Sequence, residues 1–404
     1  LIGKPVVVAN CNEAGGGIIL ALTKEAKELG LKRGNPVFKV KEILNKYHVA
    51  VFPANLPKYV DISRRLMQVV REQDIVLNFK QYSVDEFFGE LPIDNSDELR
   101  GFASKIKRHI EQCVGVPVSC GVSLTYTLAK VATWYAKRYP GYKGICVLPE
   151  DKIKTALKTL PISDVWGIGR RTAPKLEMRG TKNALHFYEK QEFEVKKLLN
   201  LPGVRTWREL HGIPSIDLDT PARQKTILHS RTFTYMTSDL KTLRSYIADY
   251  AVAAARKLRE QHSVCQTVTV FIATNAHRDD LAQYENTATV KFNVATLDTL
   301  AIAKAAGEAL EKIYRQGFQY KRAGVILTDI IGDEAIQLDL FCPESENVGK
   351  SKKLMQAMDT LTSRYGMDSV KLAAQDFTRN EKDLTDFQPL RNQTTNMDDV
   401  IVVK

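Results

Sequence analysis

Asp85 and Glu86 are adjacent carboxylates inside the run QYSVDEFF at Gln81–Phe88. Two such groups in an apolar setting repel each other and call for a cation, and oxygen-only ligands suit Mg²⁺ or Mn²⁺. The structural alternative is an acidic turn on a solvated rim. Alternation places Tyr82, Val84 and Phe88 on one side and Ser83 and Asp85 on the other, so the run reads as a short strand or strand–turn.

The second chemical signal is VWGIGRR at Val165–Arg171. Apolar-Gly-apolar-Gly before basic residues is the hairpin of a helix-hairpin-helix motif. Gly167 and Gly169 let backbone N–H groups approach a phosphate, while Arg170 and Arg171 add charge for duplex binding without base readout. Leu201–Gly203, before Arg205 and Arg208, reads as a weaker second hairpin. Lys24 and Lys27, one turn apart, form either a solvated face or a grip on a triphosphate, and Lys130 and Lys137 lie on a later helix. The glycines Gly15–Gly17 lack P-loop spacing and read as a flexible hairpin. Gln337-Leu338-Asp339-Leu340-Phe341 is an extended peptide with apolar anchors for a partner's pockets, or else an edge strand.

These groups need elements to position them. Gly3–Val8 reads as a strand, and Ile18–Leu29 as a helix ended by Gly30. Lys41–Tyr47 and Tyr59–Arg71 read as amphipathic helices. Helix Asp97–Val114, strand Val116–Val122, helix Leu124–Arg138 and strand Ile145–Leu148 then imply an α/β sheet around Asp85–Glu86, with helices on one face. Residues 151–212 change to short helices, and Ser215–Lys225 is a linker. Thr226–Tyr235, Asp239–Gln261, Val264–Thr274, Thr287–Phe292, Thr296–Gln316 and Lys321–Ile331 give β-α-β-β-α-β, with both helices on one face of an antiparallel-rich sheet. The open face is expected to carry Lys225, Arg231, Lys291 and Arg322, as a phosphate-tracking or merely solvated surface. Beyond Gly332 the chain is more polar, with a helix at Ser351–Arg364 and an irregular end.

At 404 residues, with 44% hydrophobic and 26% charged residues, the chain predicts two to four globular domains. A net charge of +11 favours an acidic partner, most simply nucleic acid. No apolar run approaches the ~20 residues of a membrane span. Six cysteines without a C-x-x-C pair argue against zinc and a disulfide framework, and fit buried thiols in a reducing cytoplasm. Residue 1 is Leu rather than Met, as in a chain lacking its natural N-terminus.

The motifs together resemble the Y-family translesion DNA polymerases, most closely the bacterial UmuC type. GKPVVV at Gly3–Val8, Glu25-Ala26-Lys27 before Leu29-Gly30, YSVDEFF, and Leu128-Ala129-Lys130 with Ala136-Lys137 look like that family's fingers and palm. DVWGIGRR at Asp164–Arg171 looks like its thumb, HSRTF at His229–Phe233 like the start of its little finger, and QLDLF like its sliding-clamp-binding peptide.

The resemblance implies an α+β multidomain, right-hand architecture of fingers, palm and helical thumb, plus a separate βαββαβ little finger. The boundaries are fingers at 1–60, palm at 61–150, thumb at 151–214, linker at 215–225, little finger at 226–335 and tail at 336–404. It implies error-prone, template-directed synthesis across damaged template, with two Mg²⁺ ions (or Mn²⁺) held by three carboxylates. Asp85 and Glu86 match two of these. The third, with an aromatic residue that rejects ribonucleotides, is expected just before Leu1, and residues 1–404 alone are expected to bind DNA yet extend primers poorly. Lys27 and Lys137 fall where the family contacts the incoming triphosphate. Lys24 joins them at a position that, like Leu22, often holds a polar, arginine or tyrosine nucleotide contact. Phe87 replaces the small residue usual after the Asp–Glu pair. Gly167, Gly169, Arg170, Arg171, Arg231 and Lys225 are the DNA-binding set. Implied partners are primer–template DNA, deoxynucleoside triphosphates, the replication sliding clamp, a UmuD-type accessory subunit and a RecA filament, in a bacterial, nucleoid-associated cytoplasmic setting. The alternative is a catalytically inactive DNA- and clamp-binding scaffold of the same superfamily.

Overall fold

A computed structural model of the chain describes residues 3–10, 17–73, 76–93, 95–218, 223–334, 348–366 and 369–375. They fall into two units, one built from residues up to 54 and from 223 to 375, the other from residues 55 to 218.

In the first unit, β1 (Val6–Ala9) pairs antiparallel with β2 (Ile19–Leu22). After α1 (Lys24–Glu28) and α2 (Val37–Lys46), β3 (Ala50–Pro53) pairs parallel with β1. The helix expected over Ile18–Leu29 is therefore a strand followed by a short helix. The apolar run Ile19–Leu22 finds partners in Val7 and Val8. Thr23 then stops the strand, because its hydroxyl accepts the N–H of Ala26 at 3.4 Å and that of Val6 at 3.1 Å. Gly30, at φ +84°, ends α1 as expected.

The second unit opens with α3 (Leu56–Arg71) and the hairpin β4 (Leu77–Gln81)–β5 (Phe87–Glu90). Next comes α4 (Ser96–Val114), capped by the Asn95 side chain. β6 (Cys120–Val122), α5 (Tyr126–Arg138) and β7 (Ile145–Val147) form a parallel crossover unit. The single sheet expected around Asp85–Glu86 is thus two separate two-stranded sheets among the described residues. β6 is also shorter than Val116–Val122, since the Val118 carbonyl accepts the Lys107 ammonium at 3.0 Å instead of a strand partner. Gly121 is needed where α5 crosses, because the Ala129 carbonyl and Thr133 occupy the space of a Cβ.

Three short helices follow, α6 (Ile153–Thr159), α7 (Ala173–Glu177) and α8 (Ala184–Tyr188), and then the longer α9 (Glu192–Leu210). They share a core with α5 that includes Leu128, Leu157, Phe187 and Leu210. Each such fully buried side chain contributes ~1.5–3 kcal/mol relative to exposure. α9 is kinked at Asn200 (φ 57°), so Leu201–Gly203 begins its second half. Glu209, 1% exposed, fixes the start of α5. Its carboxylate accepts the N–H of Thr127 at 2.8 Å and those of Ser215 and Ile216 at 3.2 and 3.1 Å.

The remainder of the first unit is β8 (Ile227–Thr237), α10 (Leu240–Glu260), β9 (Ser263–Thr274), β10 (Glu285–Thr296), α11 (Thr299–Ile313) and β11 (Tyr320–Gly332). The β-α-β-β-α-β order is as expected, in an antiparallel sheet ordered β10-β9-β11-β8. Both helices pack on one face, over Val268, Val270, Val325 and Leu327. A further helix, α12 (Val348–Tyr365), docks here through Met355, which is buried with Val264 and Leu297. Arg259 holds Asp359 of α12 with two hydrogen bonds of 2.7 Å. Cys146 and Cys265 are buried as expected, but Cys113 is exposed. Cys11, Cys342, the Gly15-Gly16 pair, the peptide Gln337–Phe341 and residues 376–404 lie outside the described residues.

Candidate active site

Asp85 and Glu86 sit in the turn of the β4–β5 hairpin rather than in a strand. The Glu86 carbonyl accepts both the Tyr82 N–H at 3.0 Å and the Ser83 N–H at 3.1 Å, which closes residues 82–86 into a tight loop. Strand alternation therefore stops at Gln81 and resumes at Phe87. This explains why Tyr82 and Val84 are 43% and 52% exposed while Phe88 is buried. Within the loop the Ser83 hydroxyl donates to Asp85 Oδ1 at 2.8 Å, and the Ser83 side chain accepts the Asp85 N–H at 3.3 Å.

Lys130 of α5 reaches the same turn. Its ammonium lies 2.7 Å from Glu86 Oε1, and it is 5.0, 5.7 and 5.8 Å from the ring centroids of Tyr82, Phe88 and Trp166. The rings also pack on one another. Trp166 meets Tyr82 edge-on at 5.3 Å, its indole N–H donating to the Tyr82 hydroxyl at 3.0 Å, and Phe88 packs on Tyr126 at 4.8 Å. One side of the carboxylate pair is thus an aromatic floor with a resident cation. The other is open, since Asp85 is exposed.

The donor set suits a hard divalent ion. Asp85 and Glu86 are consecutive carboxylates in one turn, and Mg²⁺ is commonly held by one or two carboxylates, with water and substrate phosphates completing its shell. Among the described residues no His, Cys, Asp or Glu joins them as a third ligand.

The glycine–arginine hairpin Val165–Arg171 lies on the same unit. Val165 and Ile168 are buried and anchor it, whereas Arg170 and Arg171 are exposed. Gly167 has φ +88°, and a Cβ there would lie 2.6 Å from Thr206 Oγ1. Gly169 is exposed, with nothing beyond its chain neighbours within 4 Å of where its Cβ would be, and its carbonyl accepts the Thr172 and Ala173 N–H groups at 2.9 Å. Asp164 ties the hairpin to α5, accepting the Trp134 indole N–H at 2.8 Å and the Arg138 guanidinium at 3.0 Å.

Lys137 is exposed two turns along α5 from Lys130, so the lysine that the structure brings to the carboxylates is Lys130. The signal for it was the Leu128-Ala129-Lys130 run. Tyr82 and Trp166 as its companions carried no signal beyond being aromatic. Lys24 and Lys27 are exposed on α1 in the other unit, with Lys24 3.9 Å from Glu28.

On the β8–β11 sheet, register puts Lys291 and Arg322 opposite the helices, with Arg322 5.2 Å from the Phe271 ring. Arg231 is not on that open face. It pairs with Ala323, which is buried under the helices, and shares parity with buried Ile227 and Phe233. It is exposed because β8 is an edge strand. Lys225 precedes β8 and is exposed. His229 packs at 5.4 Å on Tyr250, and its pKa is pushed down to about 4, first by burial and then by Arg231 and Lys257.

Comparison with known proteins gives a consistent picture. Residues 1–134 match the impB/mucB/samB family, residues 224–340 the C-terminal domain of that family, and residues 150–181 the IMS family HHH motif. Protein UmuC of Salmonella typhimurium (strain LT2) is 35% identical over 380 residues, covering 93% of this chain and 88% of that protein. Protein MucB of Escherichia coli is 33% identical, with 93% and 88% covered. DNA polymerase IV of Bacillus velezensis is 26% identical, with 93% and 87% covered. A chimeric Y-family DNA polymerase shares the fold at a TM-score of 0.64 and 23% identity, over 82% of this chain and 93% of that one. Among the described residues no helix is long and apolar enough to cross a membrane.

Proposed function

This chain belongs to the impB/mucB/samB family, the UmuC type of Y-family DNA polymerases, and we propose that it performs template-directed nucleotidyl transfer past damaged template bases. The observation that carries this reading is the paired carboxylate at a tightly closed turn, floored by aromatic rings and facing Lys130.

In this reading Asp85 and Glu86 would hold the divalent ions, which would supply positive charge to the reacting phosphate and the pyrophosphate leaving group. Lys130, 22% exposed, is within reach of a phosphate oxygen brought to Glu86. Lys137, and Lys24 and Lys27 on α1, are proposed as further triphosphate contacts, a role supported by the family resemblance. In-line transfer depends mainly on such positioning and charge, so a small open site with few side chains is sufficient.

The hairpin Val165–Arg171 is proposed to hold the primer–template backbone, with Gly169 offering its main chain and Arg170 and Arg171 their charge. Lys291 and Arg322 on the open sheet face are proposed as a second phosphate-tracking surface, and exposed Lys225 and Arg231, which lie at the β8 edge and not on that face, as separate DNA contacts. Gln337–Phe341 is proposed as the sliding-clamp peptide, and a UmuD-type accessory subunit and a RecA filament as further partners. The domain limits proposed are fingers 1–60, palm 61–150, thumb 151–214 and little finger 226–335. Primer extension by the full-length protein, with and without Asp85→Ala and Glu86→Ala, tests the reading.

A further inference from the structure

Between the two buried anchors of the thumb hairpin, Val165 and Ile168, Trp166 leaves the thumb core for the catalytic turn. It makes three contacts there. Its indole N–H donates to the Tyr82 hydroxyl at 3.0 Å, its ring lies 5.7 Å from that of Phe88, and the Lys130 ammonium lies 5.8 Å from its centroid. Lys130 in turn has Tyr82 and Phe88 at 5.0 and 5.7 Å and Glu86 at 2.7 Å. A lysine has a long flexible stem and would otherwise spread over many rotamers. Here three π-faces and a carboxylate converge on one ammonium position, and Trp166 fixes one of those faces by a directional hydrogen bond.

We propose that Trp166 is a positioning residue which, by holding Tyr82 and Lys130 together, keeps the Lys130 ammonium on Glu86 as that carboxylate's resident counter-ion, in competition with any divalent cation. The proposal rests on the reading of Asp85 and Glu86 as the catalytic carboxylates, and it adds an internal competitor to that site. Lys130 screens Glu86 while the site is empty and becomes available to substrate phosphate once a cation takes its place. Loosening the cage should therefore strengthen cation binding, the opposite of what damage to a metal site does.

The test is Mn²⁺ binding to the full-length protein, followed by electron paramagnetic resonance of free Mn²⁺. Variants are Trp166→Phe, Tyr82→Phe, Lys130→Met and the Trp166→Phe/Lys130→Met pair, each checked for an unchanged melting temperature. Lys130→Met should tighten Mn²⁺ binding roughly tenfold, since an opposing charge at this range typically shifts a carboxylate equilibrium by that order. Trp166→Phe and Tyr82→Phe should each tighten it about two- to fivefold, and Trp166→Phe should add nothing in the Lys130→Met background. An equal effect of Trp166→Phe in both backgrounds, or none in the first, overturns the proposal.

Asp85→Ala and Glu86→Ala are the separate control on the metal site. If they leave Mn²⁺ binding unchanged, the carboxylate reading fails, and the cage is then decided by ¹³C NMR of the reductively methylated protein. Ring currents should displace the Lys130 signal upfield in the wild type, and Trp166→Ala should return it towards the free-lysine position. An undisplaced wild-type signal overturns the cage directly.

Discussion

Glu86 and Lys130 stand 44 positions apart in the chain, yet their charged atoms meet at 2.7 Å over the rings of Tyr82, Phe88 and Trp166. The turn of a β-hairpin delivers the carboxylate, and a helix whose start is capped by buried Glu209 delivers the ammonium. Neither group is more than about a third exposed, so their attraction is screened less than that of a surface pair. The pair therefore orders the carboxylate while leaving Asp85 beside it open to solvent.

The two hairpin glycines should respond differently to the same substitution. Gly167→Val places a β-branched residue at φ +88° against Thr206 and should cost roughly 1–3 kcal/mol of stability. Gly169→Val has free space and should leave the melting temperature nearly unchanged while weakening primer–template binding about tenfold. Thermal melting and fluorescence anisotropy separate the two outcomes. Equal loss of melting temperature in both variants would show that Gly169 is only structural.

Arg170→Ala with Arg171→Ala should lower affinity for any duplex sequence and reduce the slope of log affinity against log salt by ~1–2, as expected if one or two phosphates are no longer neutralised. A salt titration with an unchanged slope would remove these arginines from the interface.

Much of this was legible in the sequence, and the gaps have physical causes. The β-α-β-β-α-β domain was readable because long amphipathic helices and long strands give strong, distinct periodicities. Ile18–Leu29 misled because four apolar residues fit either period, and only pairing with Val7 and Val8 makes Ile19–Leu22 a strand. The Asp85–Glu86 pair stood out by composition. That Lys130 rather than Lys137 is its partner depends on where α5 crosses the hairpin, which no local pattern encodes. Arg231 departs from its expected open-face position because the β8 register turns it to the helix side, where the sheet edge leaves it exposed, and register is not encoded locally. The docking of α12 through Arg259 and Asp359 joins residues 100 positions apart and left no trace in either local sequence.

That docking has its own consequence. Arg259 also donates to the Leu297 carbonyl at 3.2 Å and the Thr299 hydroxyl at 2.7 Å. Arg259→Ala should therefore cost about 1.5–3 kcal/mol and speed proteolytic cleavage within α12. Asp359→Ala should speed it too without disturbing Thr299. Cleavage at the wild-type rate in both would mean that the helix is held by its other contacts, namely buried Met355 and the Ser351–Asp298 and Lys352–Asp333 hydrogen bonds.

His229 gives a pH signature. Its pKa in the fold is lowered to about 4 from an ordinary 6.5, so the unfolded chain takes up the proton first. Stability from this group is fully present above pH 6.5 and is lost as the pH falls towards 4. His229→Gln should flatten that part of the stability–pH curve, measured by urea unfolding. An identical slope in the variant would contradict the burial argument.

In the reading proposed above, Asp85 and Glu86 are the carboxylates of a DNA polymerase. The most direct measurement is primer extension by the full-length protein on a template carrying an abasic site, with Mg²⁺ and all four deoxynucleoside triphosphates, beside Asp85→Ala and Glu86→Ala variants that melt like the wild type. Bypass by the wild type is expected, with loss of about two to three orders of magnitude in each variant, since removal of one electrostatic contact of the transition state typically costs that much. Extension that survives both substitutions, or a well-folded wild type that binds primer–template but never extends it, would show that Asp85 and Glu86 do not carry this reaction.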